Sequence, residues 1–119
     1  MTEGQSHLTI IEKASGVRVV EFADRKILEE PAITEIGDQM TKLVHEVPKP
    51  RILLSFKNVE HLSSAALGVL ITLNKHVAEH EGSLRLSDIA PPIFEVFKIT
   101  RLNKLFDIHD TAEQALEGF

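Results

Sequence analysis

The sequence contains no cysteine, no tryptophan and no tyrosine. Without cysteine there can be no disulfide framework, no thiolate nucleophile and no cysteine zinc site, a composition compatible with a reducing compartment. Without Trp and Tyr the residues most favoured as interface anchors are missing, and six Phe supply the aromatic bulk. The six glycines are scattered at positions 4, 16, 37, 68, 82 and 118, so no glycine-rich loop is available to cradle a phosphate. Basic residues are outnumbered, 13 Lys and Arg against 18 Asp and Glu for a net charge of -5, and they form no stripe. A nucleic-acid binder needs the opposite balance. No apolar run is long enough to span a membrane, and Met1-Thr2-Glu3-Gly4-Gln5 has neither the basic region nor the apolar core of a secretory leader. A soluble cytoplasmic protein is expected, with no nucleic-acid partner and no membrane span.

What is present fits a single domain over residues 1–119, long enough to bury a core without staples. Residues 7–12 and 17–22 are β-branched runs separated by Ala14-Ser15-Gly16, which predicts a hairpin. Residues 23–28 mix polar and apolar types and are expected to be a loop. From Pro31, residues Ile33, Ile36, Met40, Leu43, Val44 and Val47 recur at helical spacing, and Pro48 and Pro50 end the pattern. Arg51-Ile52-Leu53-Leu54-Ser55-Phe56 does not alternate, as expected of a strand covered on both faces.

A loop from Lys57 to Leu62 leads to a second helix with an expected inward stripe of Ala66, Val69, Leu70, Leu73 and Val77, stopped at Gly82. Residues 83–87 alternate as a strand, Pro91-Pro92 opens a short helix, residues 105–108 form a last strand, and Asp110 with Glu113 caps a final helix. The expected fold is α/β, a mixed and mostly parallel sheet of about five strands with about four helices, in the order β-β-α-β-α-β-α-β-α. Right-handed crossovers then bring the loops after Phe22, Phe56 and Ser87 to the carboxyl edge, where open α/β sheets place their sites.

Two motifs stand out. His76-Val77-Ala78-Glu79-His80 matches H-x-x-E-H, in which two histidines one turn apart bind zinc and the Glu acts as base. The same residues also suit the last turn of a helix, whose negative end favours histidine, and that plainer reading is preferred: no metal and no cofactor are expected. Ser63 and Ser64 stand where the second helix begins. A serine there is ordinarily an N-cap, yet a phosphate at the same place would be accommodated by the free N–H groups of the helix start.

At these residues the chain resembles the STAS domain family, which includes the bacterial anti-sigma factor antagonists. The family motif D-S-[ST]-G-L-G-V-L aligns without a gap on Ser63-Ser64-Ala65-Ala66-Leu67-Gly68-Val69-Leu70. The likeness continues through residues 81–86 and 96–108 and the closing Ala112-Glu113-Gln114-Ala115-Leu116. It implies a STAS-like fold and a non-enzymatic signalling module that binds a serine kinase/anti-sigma factor, or a phosphatase of the same pathway. The family's phosphorylated serine falls on Ser64, with Ser63 as runner-up, and the implied contact residues are Asp24, Asn58, His61, Ser63, Ser64, Ala65 and Leu67. Three departures accompany the match: the family aspartate is Ser63, its second hydroxyl residue is Ala65 and its glycine is Ala66.

Two further functions remain open from the sequence. One is a constitutive scaffold subunit of a stress-signalling or lipid-transport complex, without phosphorylation. The other, more remote, is a metal-dependent hydrolase using His76, Glu79 and His80. A homodimer through the first hairpin is also left open.

Overall fold

Strands β1 (Leu8–Glu12) and β2 (Arg18–Phe22) form the expected antiparallel hairpin in the computed structural model, which describes residues 7–119. The leader reading of residues 1–5 lies outside the described residues. Gly16 sits at φ 93 in the turn, a conformation that glycine adopts without cost. A Cβ there would also lie 2.8 Å from the Arg51 guanidinium.

Beyond the hairpin, the chain lays down β3 (Lys26–Ile27), α1 (Glu30–Glu46), β4 (Arg51–Ser55), β5 (His61–Leu62), α2 (Ser64–Glu79) and β6 (Ser83–Ser87). It closes with α3 (Pro91–Ile99), α4 (Leu102–Leu105), β7 (Asp107–His109) and α5 (Ala112–Leu116). The main sheet has the order β1-β2-β4-β6-β7, with β1–β2 antiparallel and the other pairs parallel. The α/β reading and the mixed five-stranded sheet therefore hold.

Strand β4 is central, with Ile52 opposite Arg18 on one side and Leu84 on the other. Its apolar run is covered on both faces because successive side chains point to opposite sides of the sheet. Ile52 and Leu54 join the larger core with Val20, Leu70, Leu86 and Phe97, whereas Leu53 joins Val17, Val19 and Ala115 on the other face. Helices α1 to α4 cover the first face and α5 covers the second. Arg85 secures α5 by donating to the carbonyls of Ala115 at 2.7 Å and Glu117 at 2.8 Å, groups that a helix end otherwise leaves unpaired.

Several local readings change. Residues 23–28 contain β3, and the loop 57–62 contains β5; the two pair in parallel as a separate ribbon, Lys26 opposite His61 and Ile27 opposite Leu62. Two-residue strands carry too few residues to show a period. The described residues form five helices where about four were expected, because α4 forms after Arg101 turns the chain at φ 63. The last strand is residues 107–109, not 105–108. The cap of α5 is Thr111, whose Oγ1 accepts from the Gln114 N–H at 3.1 Å, rather than Asp110. On α2 the buried stripe includes Leu67, while Val69 is only partly covered.

The stop at Gly82 also has a different cause. The left-handed residue after α2 is Glu81, at φ 57, and the Glu81 and Gly82 N–H groups donate back to Ala78 at 3.0 Å and Val77 at 2.9 Å. Gly82 is there because the Pro50 backbone passes beside it; an added Cβ would lie 2.2 Å from the Pro50 carbonyl oxygen.

Candidate functional site

Helix α2 begins at the carboxyl edge of the sheet, and its two serines have different jobs. Ser63 is the N-cap, with extended backbone and an Oγ that accepts from the Ala66 N–H at 3.2 Å. Ser64 is the first helical residue and is exposed. The cap bond is thus independent of the Ser64 hydroxyl.

The ribbon missed in the sequence fixes where this helix start sits. The Glu60 and His61 N–H groups both donate to the Arg25 carbonyl, at 2.7 and 3.1 Å, and the Ser63 N–H donates to the Ile27 carbonyl at 3.1 Å. Ile27 is buried beneath the ribbon at 2% exposure, and Val59 beside it at 2%. The loop after β2 and the approach to α2 are therefore one backbone-bonded unit. Asn58 ties in as well, donating from Nδ2 to the Phe22 carbonyl at 3.4 Å.

Asp24 lies in the first of these loops and is engaged: its Oδ2 is 2.6 Å from Nδ1 of His7, whose Nε2 is 3.0 Å from Glu35 of α1. Strand and helix packing puts His7 between two carboxylates that lie 17 and 28 positions away in the sequence. Across the edge, Asp88 follows β6 at φ 59 and its Oδ2 accepts from the Ser87 hydroxyl at 2.7 Å and from that of Ser55 at 3.5 Å. Ser55 and Ser87 are the buried polar residues of the sheet, at 2% and 0% exposure. The sequence placed Asp88 at this edge but gave no sign of its serine partners, since strand registers bring them together.

The remaining expected contact residues divide between two grooves beside α2. Glu60, His61, Leu62 and Leu67 line one with Pro92, Ile93 and Val96 of α3. Ala65 and Gly68 line the other with Gly37, Met40 and Thr41 of α1. Leu67 is buried at 8% exposure, so it forms the floor of its groove, whereas His61, Ser64 and Ala65 are exposed. His76, Glu79 and His80 lie at the far end of α2, about 20 Å from Ser64 at the rise of an α-helix.

A cap serine, an exposed serine one step into a helix, and flanking loops at the carboxyl edge compose one contiguous surface. The STAS domain family model matches residues 12–115, which carries almost the whole of this architecture. The chain belongs to the STAS domain family. An anti-sigma F factor antagonist from Paenibacillus polymyxa is 28% identical to this STAS domain over 66% of this chain and 67% of its own length. Among the first sequence relatives the match spans 59% to 67% of their lengths.

Solved structures agree on the fold. An anti-sigma-factor antagonist STAS domain protein from Planctomyces limnophilus superposes with a TM-score of 0.82 at 20% identity, covering 95% of this chain and 97% of that one. The Bacillus cell fate determinant SpoIIAA in its phosphorylated form superposes with a TM-score of 0.69 at 16% identity, covering 92% and 96%. These likenesses show the STAS fold, and among the described residues no helix is long and apolar enough to cross a membrane.

Proposed function

We propose that this STAS domain is a non-enzymatic interaction module whose carboxyl edge docks a protein partner of the serine kinase/anti-sigma class, and that phosphorylation of Ser64 releases that partner. The observation that carries the reading is the division of labour at the start of α2: Ser63 holds the cap while Ser64 is exposed at the first helical position. A phosphate on Ser64 would bring about -1.5 to -2 charges next to helix N–H groups that favour an anion, so the fold would tolerate it. A partner seated over the same surface would instead meet a new charge at a desolvated contact. The complex breaks while the domain stays folded.

The contact surface in this reading comprises Asp24, Asn58, His61, Ser63, Ser64 and Ala65, with Leu67 shaping the groove toward α3. Nothing in it requires a reaction at His76, Glu79 or His80. The test is to incubate the protein with its kinase partner and ATP, then compare intact mass and complex formation for wild type and Ser64→Ala. Gain of one phosphoryl group on wild type alone, with loss of the complex, supports the switch. No gain with any such kinase, together with unchanged activity of Ser64→Ala, sinks it.

A second reading is favoured by Ala65 and Ala66, which stand where the family motif has a hydroxyl residue and a glycine. Alanine is the better helix former at both places, and Ala66 is buried at 5% exposure. Those replacements stiffen the helix start and suit a constitutive scaffold subunit. In that case a pull-down recovers a stable complex whose amount does not respond to phosphatase.

A further inference from the structure

The two edges of the main sheet are protected unequally. Strand β7 forms one edge with only Asp107–His109, and its ionisable side chains Asp107 and His109 lie 2.9 Å apart. A short, charged edge resists further pairing. Strand β1 forms the other edge, and Leu8–Glu12 contains neither lysine nor proline. Ile10 is 45% exposed there and Ile11 41%. Among the described residues no strand lies beyond β1.

The backbone of this edge can be followed residue by residue. The Ala23 N–H donates to the His7 carbonyl at 2.9 Å, and the Lys13 N–H donates to the Val17 carbonyl at 2.8 Å. Bonded pairs alternate along an antiparallel ladder, so Thr9 and Ile11 also turn their N–H and C=O groups toward β2. Those of Ile10 and Glu12 turn outward. The side chains add apolar surface on both faces: Ile10 lies opposite Val20 on the face of the larger core, and Ile11 opposite Val19 on the face of α5.

We propose that β1 pairs antiparallel with β1 of a second copy of this chain, about a two-fold axis at Ile11, joining two five-stranded sheets into one. In that register Ile10 of each copy exchanges both backbone bonds with Glu12 of the other. Ile11 then faces its own mate as a non-hydrogen-bonded pair, with Cα atoms about 4.5 Å apart. An axis one residue further on would instead set Glu12 against Glu12, a repulsive pair. Glu12 and the neighbouring Lys13 balance each other, so the net charge of -5 is not gathered where the copies meet. A foreign strand would need apolar residues on both faces at this register, whereas a second copy supplies them by symmetry. So short a stretch buries less than the ~800 Å2 per partner of a standard interface, and the dimer is accordingly weak and concentration-dependent. The axis reverses the strands of one copy relative to the other. The two carboxyl edges therefore point in opposite directions, and both Ser64 surfaces stay open.

The experiment is analytical ultracentrifugation of the untagged full chain from micromolar to millimolar concentration. Wild type is expected to show a reversible monomer–dimer equilibrium. Ile11→Lys, which sets two ammonium groups opposite each other across the axis, weakens it by about tenfold or more. The absence of cysteine from the chain permits a test of register. Ile11→Cys should form an intermolecular disulfide on mild oxidation, because its Cα separation falls in the range that a disulfide spans. Ile10→Cys should not, because its mate lies on the diagonal, about 7–8 Å away. All three substitutions are at exposed positions, and circular dichroism confirms that each variant is folded. A monomer at every concentration, or a dimer unaffected by Ile11→Lys, would overturn the proposal. So would Ile11→Cys that fails to cross-link, or cross-linking of Ile10→Cys in its place.

Discussion

At the scale of single residues, the two adjacent serines are chemically alike and structurally different. Ser63 supplies the cap bond to Ala66, so Ser63→Ala should destabilise the domain by about 1 kcal/mol in urea unfolding. Ser64→Ala, at an exposed position without that bond, should stay within about 0.5 kcal/mol of wild type. Equal losses in the two variants would mean that the cap is shared and that Ser64 is not free for modification. Gly82 makes a second residue-scale prediction. The Pro50 carbonyl oxygen occupies the space that a side chain would need, at 2.2 Å from the added Cβ. Gly82→Ala should therefore cost about 3 kcal/mol, the upper range for forcing atoms into a packed site, and the urea midpoint reads it directly.

At the scale of elements, the short ribbon of β3 and β5 decides where the start of α2 is held. Its backbone bonds from Glu60, His61 and Ser63 to Arg25 and Ile27 join two loops that would otherwise move separately. Native-state hydrogen exchange should show protected amides at Glu60, His61 and Ser63, with protection lost selectively in Ile27→Ala. That variant removes a side chain at 2% exposure, and a cost of about 2–5 kcal/mol is expected. Uniform fast exchange at the three amides in wild type would show that the ribbon does not persist in solution.

The long elements were legible in the sequence because their periods repeat. Ile33, Ile36, Met40, Leu43 and Val44 span several turns, and Ile52-Leu53-Leu54 fills two faces of a strand. The ribbon was not legible, since two residues per strand leave no period and the pairing joins positions 35 apart. The surface around Ser64 was partly legible: helix-start chemistry pointed to the serines and strand order pointed to the edge. The links from Asp24 to His7, from Asp88 to Ser55 and from His45 to His80 depend on packing between distant segments, and no local pattern encodes them.

At the scale of the whole molecule, the length of the α1–α2 pair separates two ends of the fold. Ser64 and its loops occupy the carboxyl edge, and His45, His76 and His80, at the ends of α1 and α2, lie at the opposite end. The core lies between them, with α5 held on the back face by Arg85. A charge added at the first end therefore acts on a docked partner rather than on the core. Phosphorylated protein should keep its far-ultraviolet circular dichroism and melt within about 4–8 °C of the unmodified form, the shift that 1 kcal/mol gives in a domain near this size. Collapse of the melting transition on phosphorylation would show that the modification unfolds the domain instead of clearing an interface.

The most direct measurement of the central claim is site-resolved mass spectrometry of the protein after incubation with its kinase partner and ATP, paired with the amount of complex remaining. One phosphoryl group on Ser64, none in Ser64→Ala, and a complex lost in proportion to modification is the predicted result. A complex that persists with Ser64 fully phosphorylated would contradict it.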